Sequence, residues 1–203
     1  MAYLLTSATL NWFSDGCCDV KYLDLWDKAP VSYVPGQPID ESWQQDNYDI
    51  LLTYDADGRI FQRATNHLFH YHFYPPDLLT QTSDFSLENR TMRVGDRVIQ
   101  RMHILSLRRY PILDLIGITE IYNLINEPRR CGFTHVTVNP HIAEGEWTAQ
   151  VTWHKNGNLF LNVSVISRPV PQEPPCNHKL IRARQLAMHQ RSIAHFREQL
   201  TNS

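Results

Sequence analysis

The stretch from Gly117 to Pro169 limits what this chain can fold into more than any other. It divides into the runs I-T-E-I-Y-N-L-I-N-E, R-R-C-G-F-T-H-V-T-V, G-E-W-T-A-Q-V-T-W-H and N-L-F-L-N-V-S-V-I-S-R-P, each rich in β-branched and aromatic residues. Such side chains fit the pleated, half-buried surface of a sheet. Between the runs stand Glu127-Pro128, Asn139-Pro140 through Gly145, and Asn156-Gly157-Asn158, all of them turn chemistry. Consecutive strands joined this way predict a four-stranded antiparallel meander. Its clearest hairpin is Lys155-Asn156-Gly157-Asn158, because Asn-Gly accepts the positive φ angles of a tight turn.

Alternation within the runs assigns faces. On Gly145 to His154, Trp147, Ala149, Val151 and Trp153 share one side, and Glu146, Thr148, Gln150, Thr152 and His154 the other. On the next run Leu159, Leu161, Val163 and Val165 share a face, with Phe160, Asn162, Ser164 and Ile166 opposite. The apolar face needs a cover, and the chain ends in a candidate. His178 to Leu200 carries Ile181, Leu186, Ile193, Phe196 and Leu200 among Arg, Gln and His, the pattern of a long amphipathic helix. The fold class expected is therefore α+β: a curved antiparallel sheet wrapped on a long C-terminal helix that crosses its concave side. Where the sheet curls away from the helix, the space between them is a candidate ligand pocket. It is expected to open near Asn139 to Gly145, since Pro140 cannot donate to a ladder and Gly145 permits a sharp bend.

Upstream, residues 1–47 contain Pro30, Pro35 and Pro38 and the aromatic anchors Trp12, Tyr22, Trp26 and Tyr33; they read as an extended segment packed on the domain. Residues 48–203 then form a single domain. Tyr48 to Tyr54 reads as a short strand, and Arg59 to Tyr71 as a helix with Ile60, Phe61, Ala64 and Leu68 at helical spacing. Tyr74-Pro75-Pro76 ends that helix, Asp77 to Asn89 reads as loop or a brief helical turn, and Thr91 to Leu107 as strand after Gly95-Asp96. Pro111 to Leu115 bridges into the meander, and a linker from Pro171 to Pro175 precedes the last helix.

A chain of 203 residues is long enough for one full core. The net charge of -2 supplies no cationic excess for nucleic acid or an anionic membrane. No run of about eighteen apolar residues would span a bilayer. The start lacks the basic region of a secretory signal, so a cytoplasmic setting is expected. The cysteines Cys17, Cys18, Cys131 and Cys176 have neither zinc-ribbon nor redox spacing.

Several residues carry candidate chemistry. His67 and His70 form a helical i, i+3 pair beside His72, but no carboxylate or cysteine stands at matching spacing, so no metal and no cofactor is expected. His141 and Glu146, with Glu144 beside them, form a candidate catalytic acid–base pair; alternatively Glu146 braces the turn. Tyr122, His135, Trp147, Trp153, Leu161, Ser164 and Arg168 are candidate ligand-binding residues. The bland alternatives are a wet outer face for Ser164 and a surface ion pair for Arg168.

From Asn126 to Pro169 the chain resembles an uncharacterised family, domain of unknown function nineteen-ninety. The shared features are Gly132-Phe133, His141 ahead of Gly145-Glu146, and the closing Ser167-Arg168-Pro169, preceded by Asn126-Glu127 and Arg129-Arg130. Gly58, Phe61, Ala64 and Leu68 fit the family's first helix, and the Gln- and Arg-rich last helix also fits. The sequence departs from the pattern at Val136-Thr137-Val138 and at Trp147, where the family has Gly-Thr-Leu and a second acid. The resemblance implies a START-like, helix-grip fold with an apolar cavity. Three functional readings follow: binding of an apolar small molecule; a cyclase, isomerase or hydrolase using His141 and Glu146 in the same cavity; and a module that binds a partner protein.

Overall fold

The computed structural model describes residues 10–12, 28–107, 110–139, 141–170 and 175–201. In chain order the elements are β1 (Leu10–Trp12), β2 (Gln44–Tyr54), α1 (Arg59–Phe69), β3 (Leu79–Ser83), α2 (Asp84–Leu87), β4 (Arg97–Leu107), β5 (Tyr110–Glu127), β6 (Arg130–Val138), β7 (Ala143–Trp153), β8 (Asn158–Pro169) and α3 (Pro175–Thr201). All strand pairs are antiparallel, in the order β2-β8-β7-β6-β5-β4-β3, with β1 pairing β5 off this path. The meander β5 to β8 runs as its turn residues require, and Gly157 adopts φ 89 in the last hairpin.

Alternation works as physical chemistry demands. Leu159, Leu161, Val163 and Val165 are buried, as are Trp147, Ala149 and Val151. They form one core with Phe61, Ala64 and Leu68 of α1 and with Phe196 and Leu200 of α3. The long helix thus covers the inner face of the sheet, the helix-grip arrangement. Polar tethers fix its position: Arg182 forms an ion pair with Asp46 on β2, Gln185 donates to Ser167 Oγ at 2.9 Å, and Arg63 donates to the Leu200 carbonyl at 3.3 Å.

Helix α1 is anchored at its start. The Asp55 carboxylate, itself buried, accepts the backbone N–H groups of Gly58 (2.9 Å) and Phe61 (2.8 Å), satisfying donors that the first turn leaves unpaired. Trp153 Nε1 donates to the Asp55 carbonyl at 2.9 Å, which ties the helix to the end of β7.

The structure differs from the sequence expectations at several places. β1 lies in the segment expected to lack regular structure, and β3 in the stretch expected to be loop or helical turn. Both are short, and both owe their geometry to a long neighbouring strand rather than to their own propensity. Pro111 lies inside β5, not in a connection before it, and β2 starts at Gln44, ahead of Tyr48. The last helix starts at Pro175, three residues before His178. Tyr22, Trp26, Cys17, Cys18, Pro140 and the linker before Pro175 lie outside the described residues, as do the side chains of Trp12 and Ile181. Residues 29–43 cover the outer face: Tyr33 and Trp43 are buried against Val136, and Ala29 packs on Ile99, Ile116, Ile118 and Val138.

The two tryptophans of β7 have unequal surroundings. Trp147 is 4% exposed and packs among Phe73, Tyr74 and Phe133. Trp153 is half-buried, stacked on Phe61 with the Arg129 guanidinium 4.0 Å from its ring. Trp147→Ala should cost roughly 3–5 kcal/mol, the range for truncating a buried aromatic, and Trp153→Ala clearly less. Urea unfolding of the two variants measures this, and equal losses would contradict the assigned environments.

Candidate functional site

A cavity of ≈ 200 Å³ lies between the inner face of the sheet and the first half of α3. The register explains its place. β6 and β7 pair from Arg130–Thr152 only as far as Val136–Glu146, after which the strands part. Thr137 then stands where a further rung would be, and its hydroxyl accepts the Gly145 N–H at 2.9 Å. Gly145 itself adopts φ 153, and a Cβ there would lie 2.0 Å from the Ile166 carbonyl oxygen, so no side chain fits. His135, Thr137 and Trp147 form one wall of the cavity, and Gln100, Met102, Leu115 and Thr119 another. Val165 and Ser167 follow from β8, and Arg184, Gln185, Met188 and His189 form the roof from α3.

The histidines of this wall are held by specific contacts. Gln100 Nε2 donates to the Tyr71 hydroxyl at 2.5 Å, and that hydroxyl lies 3.0 Å from His135 Nδ1. With the amide donating to it, the tyrosine O–H is free to donate to Nδ1, which leaves the His135 proton on Nε2. The ring stacks on Trp147, centroids 5.1 Å apart. Burial, with smaller contributions from the charges of His141 and His189, pushes the His135 pKa down to about 3. Burial likewise lowers His189 to about 4, against the opposing pull of Asp46. His141, partly exposed, is held down to about 4 mainly by burial, and its Nδ1 lies 2.9 Å from the Ala143 carbonyl oxygen. Its ring occupies the space over Gly117, where a Cβ would fall 2.6 Å from Nε2.

Of the residues singled out from sequence, His135, His141 and Trp147 line the cavity. Glu146 borders it, but alternation puts its side chain on the outer face, between Val136 and Ile166 and close enough to Tyr33 to raise the phenol's pKa after burial has done so. The carboxylate and His141 are therefore not brought together as an acid–base pair. Tyr122 is 46% exposed, and it follows the inward Ile121, so alternation puts it on the outer face. Leu161 is buried in the solid part of the core, and Trp153 closes the far end of β7. Ser164 lies on the outer face with Asn162 and Gln150. Arg168 pairs with Glu144 at 2.8 Å and covers Trp43 at 4.4 Å, outside the cavity. Sequence reasoning missed Tyr71, Gln100, Thr119 and His189. His189 had a legible signal: Gln185, His189, Ser192, Phe196 and Leu200 follow each other at helical spacing.

Among the described residues no group of three or more His, Cys, Asp or Glu side chains is placed to hold a metal ion. No helix among them is long and apolar enough to cross a membrane.

The fold and the cavity together define an antiparallel helix-grip protein with an internal pocket. The chain belongs to the family described as Domain of unknown function (DUF1990), whose model matches residues 29–195. No curated protein matches its sequence. Among solved structures, hypothetical protein jhp0584 from Helicobacter pylori is similar with a TM-score of 0.54 at 12% identity, covering 81% of this chain and 89% of that one. Ara h 8.0201 gives 0.49 at 10% identity over 79% of this chain and 99% of its own. Ginseng major latex-like protein 151 from Panax ginseng gives 0.42 at 14% identity, over 76% and 97%.

Two predictions follow from this geometry. Gly117→Ala should destabilise the protein by about 1–3 kcal/mol through overpacking against His141, and His141→Ala should abolish that penalty. A double-mutant cycle in urea reads the coupling; additive losses would show that the ring does not occupy the space over Gly117. The second concerns acid. A histidine whose folded pKa is depressed stays neutral in the fold while the unfolded chain takes up a proton below about 6.5. Stability is therefore full above that value, falls as pH drops toward the folded pKa, and levels off below it. His135 should contribute on the order of 1 kcal/mol of lost stability per pH unit across this window. His135→Gln should flatten the profile between pH 6.5 and 4, and an unchanged slope would exclude His135 as its source.

Proposed function

We propose that this protein binds a compact apolar small molecule in the cavity between sheet and α3. The observation that carries the reading is the composition of the wall. Tyr74, Leu79, Met102, Trp147, Val165 and Met188 present apolar surface around a space of ≈ 200 Å³. Pockets for drug-sized ligands occupy about 300–1,000 Å³ and share this pattern of apolar walls with a few convergent polar groups. The volume here supports a smaller guest, of one or two fused rings. The acid–base reading has less support, because the Glu146 side chain and His141 face different sides of the sheet.

Equilibrium dialysis of the full chain with 2-methylnaphthalene tests the proposal. The wild type should retain the hydrocarbon in saturable fashion. Val165→Phe, which puts bulk into the space, should lose that retention while keeping cooperative unfolding. Retention that is absent in the wild type, or unchanged in Val165→Phe, would defeat the cavity as the binding site.

A further inference from the structure

His135 meets the cavity with a ring nitrogen that the protein leaves open. Most of the imidazole is enclosed. Trp147 stacks on it with centroids 5.1 Å apart, and the rings of Tyr71 and Phe133 lie at 6.0 and 6.1 Å. The Tyr71 hydroxyl, 3.0 Å away, engages Nδ1. Nε2 has no hydrogen-bond partner among the described residues, yet it is not sealed in the interior as the unpartnered Trp147 Nε1 and His189 Nδ1 are. Because His135 is buried and lines the cavity, the space that Nε2 meets is the cavity itself.

The Tyr71 bridge decides what Nε2 presents there. Gln100 Nε2 donates to the Tyr71 hydroxyl at 2.5 Å, so the phenol O–H turns to Nδ1 and the imidazole proton sits on Nε2. His135 thus offers an N–H donor to the pocket. Neighbouring polar groups are engaged elsewhere: Thr137 takes the Gly145 N–H, Gln185 donates to Ser167, and His141 Nδ1 lies on the Ala143 backbone. A hydrocarbon guest would cover the His135 donor and leave it unsatisfied, which costs free energy. An ionised guest would give up its water beside a neutral imidazole, since Arg184 is on the exposed side of the roof helix. A neutral oxygen avoids both costs.

We propose that the guest carries a neutral carbonyl oxygen, of a ketone, ester or amide, which accepts a hydrogen bond from His135 Nε2. The inference rests on the cavity-binding reading and deepens it by naming the guest's polar group. His135 is then the residue that orients the guest. Tyr71 and Gln100 are positioning residues, acting through the proton they hold on Nε2.

The test is equilibrium dialysis of the full chain at pH 7 with probes of one shape: 2-acetylnaphthalene, 2-isopropenylnaphthalene, in which a methylene replaces the carbonyl oxygen, and 2-naphthoate. His135→Phe keeps a ring for Trp147 to stack on and removes the donor. It should lower the ratio of ketone to alkene affinity roughly three- to tenfold, what one neutral hydrogen bond contributes net. In the wild type the ketone should bind more tightly than 2-naphthoate. Nitrogen NMR of the histidines in the wild type reads the donor without relying on a variant's folding. His135 should hold its proton on Nε2, and that nitrogen's signal should shift with the ketone and far less with the alkene. Tyr71→Phe should let part of the proton pass to Nδ1, and an unchanged tautomer there removes Tyr71 from its positioning role. An unchanged affinity ratio, a wild-type proton on Nδ1, or tighter binding of 2-naphthoate overturns the inference and leaves the apolar pocket standing. If none of these probes binds, and 2-methylnaphthalene does not either, this inference and the cavity reading fall together.

Discussion

The parting of β6 and β7 beyond Val136–Glu146 is the constraint on which the other features depend. Two strands that stop pairing inside a protein leave backbone donors and acceptors that need new partners. Here the extended N-terminal segment supplies them. Ser32 N–H donates to the Thr137 carbonyl at 2.9 Å, the Asn139 N–H donates to the Pro30 carbonyl at 3.0 Å, and the Ser32 and Thr137 hydroxyls meet at 2.7 Å. The segment from 28 to 43 is thus the replacement for a missing stretch of ladder. The same gap admits His141, whose ring turns in over Gly117 and forms part of the cavity wall.

The inner face of the sheet changes character along its strands, and that gradient explains why one end is filled and the other is not. Following β6, Cys131 and Phe133 give way to His135 and Thr137; following β8, Leu159, Leu161 and Val163 give way to Val165 and Ser167. On β7, read backward, Val151 and Ala149 give way to Trp147 and then Gly145. The helix repeats the gradient: Phe196 and Leu200 sit over the filled end, Gln185, Met188 and His189 over the open one. Close packing requires side-chain volume on both sides of a contact. Gly145, the hydroxyl side chains of Thr137 and Ser167, and the polar Gln185 and His189 leave space there, beside the bulkier Trp147 and Met188. An apolar core and a pocket share one layer because their lining residues differ in size and polarity, strand by strand.

This gradient also marks how far the sequence could be read. The period-two pattern from Trp147 to Trp153 and from Leu159 to Val165 is visible in the chain because one face is buried. It places the meander and the inner faces correctly. The same pattern also put Glu146 opposite Trp147, so its separation from His141 was legible once alternation was applied to the whole loop. β3 was not legible. Leu79-Thr80-Gln81-Thr82-Ser83 has little hydrophobic alternation and exists through its pairing with β4. Tyr122 follows the inward Ile121 and faces outward by alternation; the register shift between Ile121 and Asn123, which no local pattern announces, instead brings Leu124 rather than Asn123 to the core. Tyr71 and Gln100 meet His135 only in three dimensions, across long spans of chain, so nothing local joins them to the site.

Tyr71 shows what the fold maintains to keep the pocket in one chemical state. Its backbone adopts φ 62, a conformation that a bulky residue takes at a cost of about 1–3 kcal/mol. That conformation immediately follows the end of α1 and turns the ring inward, against Phe133, Tyr74 and Phe85. The hydroxyl then lies between Gln100 and His135. A neutral amide and a neutral phenol hold a neutral imidazole, and burial keeps both the phenol and the imidazole from ionising. The deep wall therefore consists of fixed dipoles rather than charges, which a low-dielectric interior tolerates when each is paired. Formal positive charge at the cavity is carried by Arg184, on the helix that roofs it and exposed to water.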